Sequence, residues 1–144
     1  MNSKLVLSDE LRRLVESRMK NTLKGIEETL QHIFERQEMS LEDLKEIIQS
    51  LEEGFNLLSQ KWNLQILYIL FLRNSMGFGK LKRILGVNSR TLSDKLKTLN
   101  QYGYIGRSVE RGPPLRVSYS LTTRGRDTML LALPLLYYSN NSLK

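Results

Sequence analysis

The stretch from Ser89 to Leu121 constrains the fold more than any other part of the chain. It opens on S-R-T-L-S-D-K-L-K-T-L, where Leu92, Leu96 and Leu99 recur at i, i+4, i+7, the spacing of one buried helix face. At about 100° per residue this leaves Arg90, Asp94 and Lys97 roughly opposite the leucines, with Thr91 and Ser93 on the flanks. Gly103 then stops the helix, because glycine takes the left-handed conformation beyond a helix C-terminus at no steric cost. Two short alternating segments follow, Tyr104 to Val109 and Arg116 to Leu121, joined by the turn-rich E-R-G-P-P. Such a chain has to seat a helix and a hairpin on one small core.

The residues just upstream supply that core. W-N-L-Q-I-L-Y-I-L-F-L, Trp62 to Leu72, is apolar almost all round, which predicts a central helix covered by other elements, with Trp62 as a core anchor. N-S-M-G-F-G reads as a turn. Gly79 to Leu85 makes a short helix with Leu81, Ile84 and Leu85 inward and Lys80, Lys82 and Arg83 outward. G-V-N-S joins this helix to the next, with Gly86 closing the first and Asn88 or Ser89 capping the second. Beyond Leu121, Thr122 or Thr123 caps a last helix to about Leu133, which Pro134 kinks or ends.

The N-terminal part is organised differently. A long helix is expected over Asp9 to Gln37, capped by Ser8 and weakened locally by Gly25. Its Met19, Leu23, Ile26, Leu30 and Ile33 are spaced 4, 3, 4, 3, a heptad-like seam suited to packing within one subunit or pairing across a dimer. A second helix starts at Ser40, where S-L-E-D resembles a capping box with Asp43 in the third position. Its wide stripe of Leu41, Leu44, Ile47, Ile48, Leu51, Phe55 and Leu58 needs the core or a partner chain to cover it. M-L-L-A-L-P-L-L-Y-Y, Met129 to Tyr138, is likewise too apolar to lie bare on a monomer. The expected organisation is a helical extension for dimerisation over 1–58, a DNA-binding domain over 59–125 and a C-terminal helix and tail over 126–144.

Charge separates the same parts. Residues 1–56 hold 8 Lys/Arg against 12 Asp/Glu, net −4, and residues 57–144 hold 14 against 3, net +11, which together give the total of +7. A module this basic attracts polyanions, nucleic acid above all. Enzyme chemistry has nothing to work with. There is no cysteine, and the single histidine, His32, reads as a surface or boundary residue with no catalytic partner nearby. Gly77-Phe78-Gly79-Lys80 lacks the first glycine and the hydroxyl of a phosphate loop, and Asn140-Asn141-Ser142 is a sequon without secretory context. No signal peptide opens the sequence, and the apolar runs fall short of the roughly 20 residues of a membrane helix. We expect a soluble, cytoplasmic, non-membrane protein with no catalytic residues, no metal and no cofactor.

The fold expected is mainly α (α+β): a winged helix-turn-helix with a two-stranded wing, a helical N-terminal extension and a C-terminal dimerisation helix. One helix fits the major groove of B-DNA, where its exposed face reads base edges. The recognition helix, about 89–102, offers Ser89, Arg90, Thr91, Ser93, Asp94 and Lys97. Arg90 suits guanine, the hydroxyls bases or phosphate, Lys97 phosphate, and Asp94 cytosine or the orientation of Arg90. Lys80, Lys82, Arg83 and Arg116 suit backbone contacts that position without specifying, and Arg111, beside Gly112 on the wing over 104–121, suits a minor groove.

Five pieces in order carry a family resemblance: K-W-N-L-Q-I-L at Lys61 to Leu67, F-G-K-L-K-R-I-L at Phe78 to Leu85, T-L-S-D-K-L-K-T-L at Thr91 to Leu99, G-Y-I at Gly103 to Ile105, and P-P-L-R-V-S-Y-S-L-T at Pro113 to Thr122. Residues 61–125 resemble the HxlR-type winged-helix transcriptional regulators, which are close in plan to the MarR and PadR regulators. The resemblance implies a homodimeric repressor or activator that binds double-stranded DNA. Leu115 departs from the pattern by standing between the proline pair and Arg116, as does the acidic extension of about 55 residues before K-W. Family members that sense oxidants use a cysteine near the first helix, which this chain lacks. The same basic surface also fits an architectural protein that coats or bridges duplexes, and the fold occurs in protein-interaction modules.

Overall fold

The computed structural model of the protein describes residues 9–36 and 38–142. The elements run α1 Asp9–Arg36, α2 Leu41–Ser59, α3 Asn63–Arg73, β1 Ser75–Gly77, α4 Phe78–Leu85, α5 Ser89–Gln101, β2 Ile105–Glu110, β3 Arg116–Leu121 and α6 Thr123–Ser142. The chain divides into two units, Met1–Ser50 and Leu51–Lys144.

In the first unit α1 spans the expected range, while its expected cap Ser8 and last residue Gln37 lie outside the described residues. The capping box of α2 forms reciprocally: the Asp43 N–H donates to Ser40 Oγ and the Ser40 N–H to Asp43 Oδ2, both at 3.1 Å. Two orphan donors at the helix start are thereby satisfied, so an aspartate at the third position closes the box as a glutamate would.

The second unit is the winged module. Its core collects Ile66, Leu67 and Leu70 of α3, Leu81 of α4, Leu92, Leu96 and Leu99 of α5, Ile105 of β2 and Met129 of α6. The hairpin of β2 and β3 pairs Ile105 with Leu121 at its base and Glu110 with Arg116 at its tip. The wing is this two-stranded hairpin, and a third strand joins it in the order β1-β3-β2. N-S-M-G-F-G, expected as a turn, contains β1, which sets Met76 against Tyr119 and buries it. A strand of three residues is too short to show a period of two in sequence.

Four other expectations are corrected. Trp62 is not the first residue of α3. It precedes the helix in the left-handed conformation at φ 81°, half-buried, with Lys61 Nζ 4.9 Å from its ring centre. Asn63 holds that turn: its side chain is fully buried, and Nδ2 donates 2.7 Å to the Leu57 carbonyl. The α3 helix is not covered all round, since Tyr68 and Leu72, one turn apart, are 42 and 60 % exposed. A single small module has too few elements to wrap a helix on every side. Ile84 points outward at 55 % exposure, because Phe78 joins Leu81 and Leu85 on the core and turns Ile84 about a quarter-turn away from the buried face. Finally, α6 continues through Pro134 to Ser142, losing only the backbone donor that proline lacks.

Two junctions fix the hairpin on the helices. Tyr104 ends the turn after α5, and its carbonyl accepts from the Thr122 N–H at 3.1 Å. Thr122 also caps α6, with its Oγ1 accepting from the Gly125 N–H at 3.1 Å and donating to the Gly103 carbonyl. Gly125 is required at this crossing, since a β-carbon there would lie 2.0 Å from the Tyr104 carbonyl oxygen.

Candidate nucleic-acid interface

The helix-turn-helix is formed by α4, the turn Gly86 to Asn88, and α5. Gly86 takes the left-handed conformation at φ 65°, and its N–H donates to the Lys82 carbonyl at 2.9 Å, closing α4. Val87 is buried in the turn, and Asn88 caps α5 by accepting from the Thr91 N–H at 2.8 Å through Oδ1. The capping residue is thus Asn88, one of the two expected, and Ser89 is the first residue of the helix.

Burial divides α5 into two faces. Leu92, Leu96 and Leu99 are at most 2 % exposed, whereas Ser89, Arg90, Ser93, Asp94 and Lys97 are exposed and Thr91 half-buried. Thr98 donates through Oγ1 to the Asp94 carbonyl at 3.0 Å, which satisfies its hydroxyl within the helix. Lys95 was not among the expected site residues, and it is turned aside: half-buried, its Nζ donates 3.1 Å to Gln60 Oε1 in the turn before α3. It ties the helix to its support.

Lys80, Lys82 and Arg83 lie exposed along α4, with Leu81 buried between them. Arg111 sits in the exposed loop 111–115 at the wing tip, together with Leu115, the inserted residue. Arg116 begins β3 and is exposed, but it stands directly opposite Glu110, so its charge faces an acidic neighbour across the strands. Arg107, exposed on β2, adds a wing cation that has no turn signal to mark it, because it sits inside a strand. Arg124 and Arg126 of α6 stack on Tyr104 at 4.9 Å and Phe71 at 5.4 Å, an arrangement in which the cation meets the negative ring face. No helix among the described residues is long and apolar enough to cross a membrane.

The family described as HxlR-like helix-turn-helix matches residues 57–141, more than half of the chain. The chain belongs to the HxlR-like helix-turn-helix family. Among its relatives, the HTH-type transcriptional regulator YdzF of Bacillus subtilis is 41 % identical over 77 residues, 53 % of this chain and 71 % of that one. A solved transcriptional regulator of the MarR family from Enterococcus faecalis V583 covers 66 % of this chain and 86 % of its own at 26 % identity, with a TM-score of 0.62. The reduced form of the transcriptional regulator YodB from B. subtilis covers 72 and 93 % at 22 % identity and a TM-score of 0.58, a likeness of fold. The HxlR-like match therefore begins where the basic part begins, and α1 lies outside it. It is a family of transcriptional regulators, not a class of enzymes.

Proposed function

We propose that this HxlR-like regulator binds double-stranded DNA sequence-specifically as a homodimer, with α5 in the major groove and the wing at the minor groove. The observation that carries the reading is the division of α5: three leucines lock one face into the core and present Ser89, Arg90, Ser93, Asp94 and Lys97 on the other. A helix held so firmly can offer its outer side chains to base edges in fixed register. Arg90 reads guanine, Ser89, Thr91 and Ser93 reach bases or phosphate, Asp94 accepts from cytosine or orients Arg90, and Lys97 meets phosphate. Lys80, Lys82, Arg83 and Arg116 hold the backbone, and Arg111 enters the minor groove beside the wing.

Pairing is supported by the apolar surface that one chain leaves bare. On α3 and α6, which pack together, Tyr68, Leu72, Leu130 and Leu131 are all exposed. We assign residues 1–58 to a helical extension, 59–125 to the DNA-binding domain and 126–144 to the C-terminal pairing helix. Light scattering tests this assembly, because a mass of 16.8 kDa at micromolar concentration contradicts it. Competition between a selected operator and random DNA tests the function. A regulator prefers its operator by about 10³ or more, and equal affinity favours the architectural reading that the net charge of +11 on residues 57–144 also supports.

A further inference from the structure

The seam of α1 is bare. Leu23, Ile26, Leu30 and Ile33 are 44 to 51 % exposed on a helix of 28 residues. A helix within a protein draws most of its stability from packing its apolar face, so this one calls for a partner. The seam's own order says that the partner supplies more than one strand. A four-residue step leads from d to a and a three-residue step from a to d, so Met19, Ile26 and Ile33 occupy d and Leu23 and Leu30 occupy a. Leucine at a with isoleucine at d is the arrangement that favours assemblies larger than a pair, whereas two-stranded coils prefer the reverse.

The flank beside the d residues agrees. Along the seam it carries Val15, Thr22 and Thr29, and its one charge, Arg36, comes at the last residue of the helix. Both threonine hydroxyls are already satisfied inside the helix: Thr22 Oγ1 donates 3.0 Å to the Arg18 carbonyl and Thr29 Oγ1 donates 2.8 Å to the Gly25 carbonyl. Their methyl groups can be covered without stranding a polar atom. The opposite flank carries Arg13, Lys20 and Glu27, all exposed, followed in sequence by Phe34. The apolar stripe is thus wider than a two-stranded seam uses, and two heptads are short for a two-stranded coil, usually sustained over about three or four.

We propose that four α1 helices, from two dimers of this chain, join into one bundle, so that the regulator is a tetramer able to hold two operators at once. The inference rests on the dimeric DNA-binding reading above, and its experiment separates the two. Sedimentation equilibrium of the full chain at micromolar concentration is expected to give four times the 16.8 kDa chain mass. The four-fold exchange Leu23→Ile, Ile26→Leu, Leu30→Ile and Ile33→Leu keeps composition and reverses the a and d order, and is expected to leave two chains with unchanged affinity for a single operator. The double variant Thr22→Glu and Thr29→Glu, charging the flank, is expected to do the same. Bridging of two differently labelled operator duplexes should follow the tetramer and vanish in both variants. A wild-type mass of one or two chains, or four chains in both variants with helicity retained, overturns the inference. A tetramer that shows no operator preference contradicts the DNA reading instead and leaves the bundle standing.

Discussion

At Gly125 one methyl group tests how the last helix meets the wing. The added β-carbon of Gly125→Ala would lie 2.0 Å from the Tyr104 carbonyl oxygen, so the α6 start or the turn after α5 must shift. We expect a loss of about 1 to 3 kcal/mol in urea denaturation, the usual cost of overpacking a fitted site. Asn88→Ala removes the α5 cap and should cost about 0.5 to 2 kcal/mol, with Asn88→Ser restoring most of it. Residues on the outer face behave differently, since they touch little of their own chain. Arg90→Ala should leave stability unchanged, cost about 1 to 3 kcal/mol on the operator and relax preference at one base position per half-site. Lys82→Ala should weaken operator and random DNA alike, because a phosphate contact carries no sequence information. Binding isotherms on the two DNAs distinguish these outcomes.

Elements differ in how plainly their residues announced them. The α5 helix was legible because Leu92, Leu96 and Leu99 follow one period over two turns and Asn88 and Gly103 punctuate its ends. The β1 strand was not, because three residues carry no period and its partner lies more than forty positions away in β3. Helix α6 runs past Pro134, where the sequence suggests a kink or an end, because the missing donor weakens a helix locally without obliging it to stop. The outward turn of Ile84 is not legible from its spacing, because periodicity on eight residues leaves the centre of the buried face undetermined until Phe78 is counted. At the interface, the exposed cations of α4, α5 and the wing were legible as a charged surface. Which of them meets phosphate depends on the path of the duplex, and an exposed lysine has the same local pattern whether it faces phosphate or water. Acting together, these elements should release roughly six to eight counterions per dimer, giving a slope of log K against log salt of about −5 to −7. A slope near zero would remove the basic module from the binding surface.

For the whole molecule, the separation of charge and of apolar surface gives a division of labour. In the proposed reading the basic HxlR-like part holds DNA, and α1, whose charges balance and which lies outside the family match, gathers copies of the chain. Two chains should occupy each operator, since a two-fold protein reads two half-sites about one helical turn, or a multiple of it, apart. Titration of operator against protein should therefore break at two chains per site, and a break at one chain would contradict the pairing. No cysteine is present, so thiol oxidation has no acceptor in this chain. The central claim is that α5 reads base sequence, and selection of bound sites from a random duplex pool tests it most directly. The wild-type chain should enrich a two-fold symmetric motif, and Arg90→Ala should relax one position in each half of it. Enrichment of no motif, or an unchanged motif with Arg90→Ala while affinity falls equally for all sequences, would contradict it.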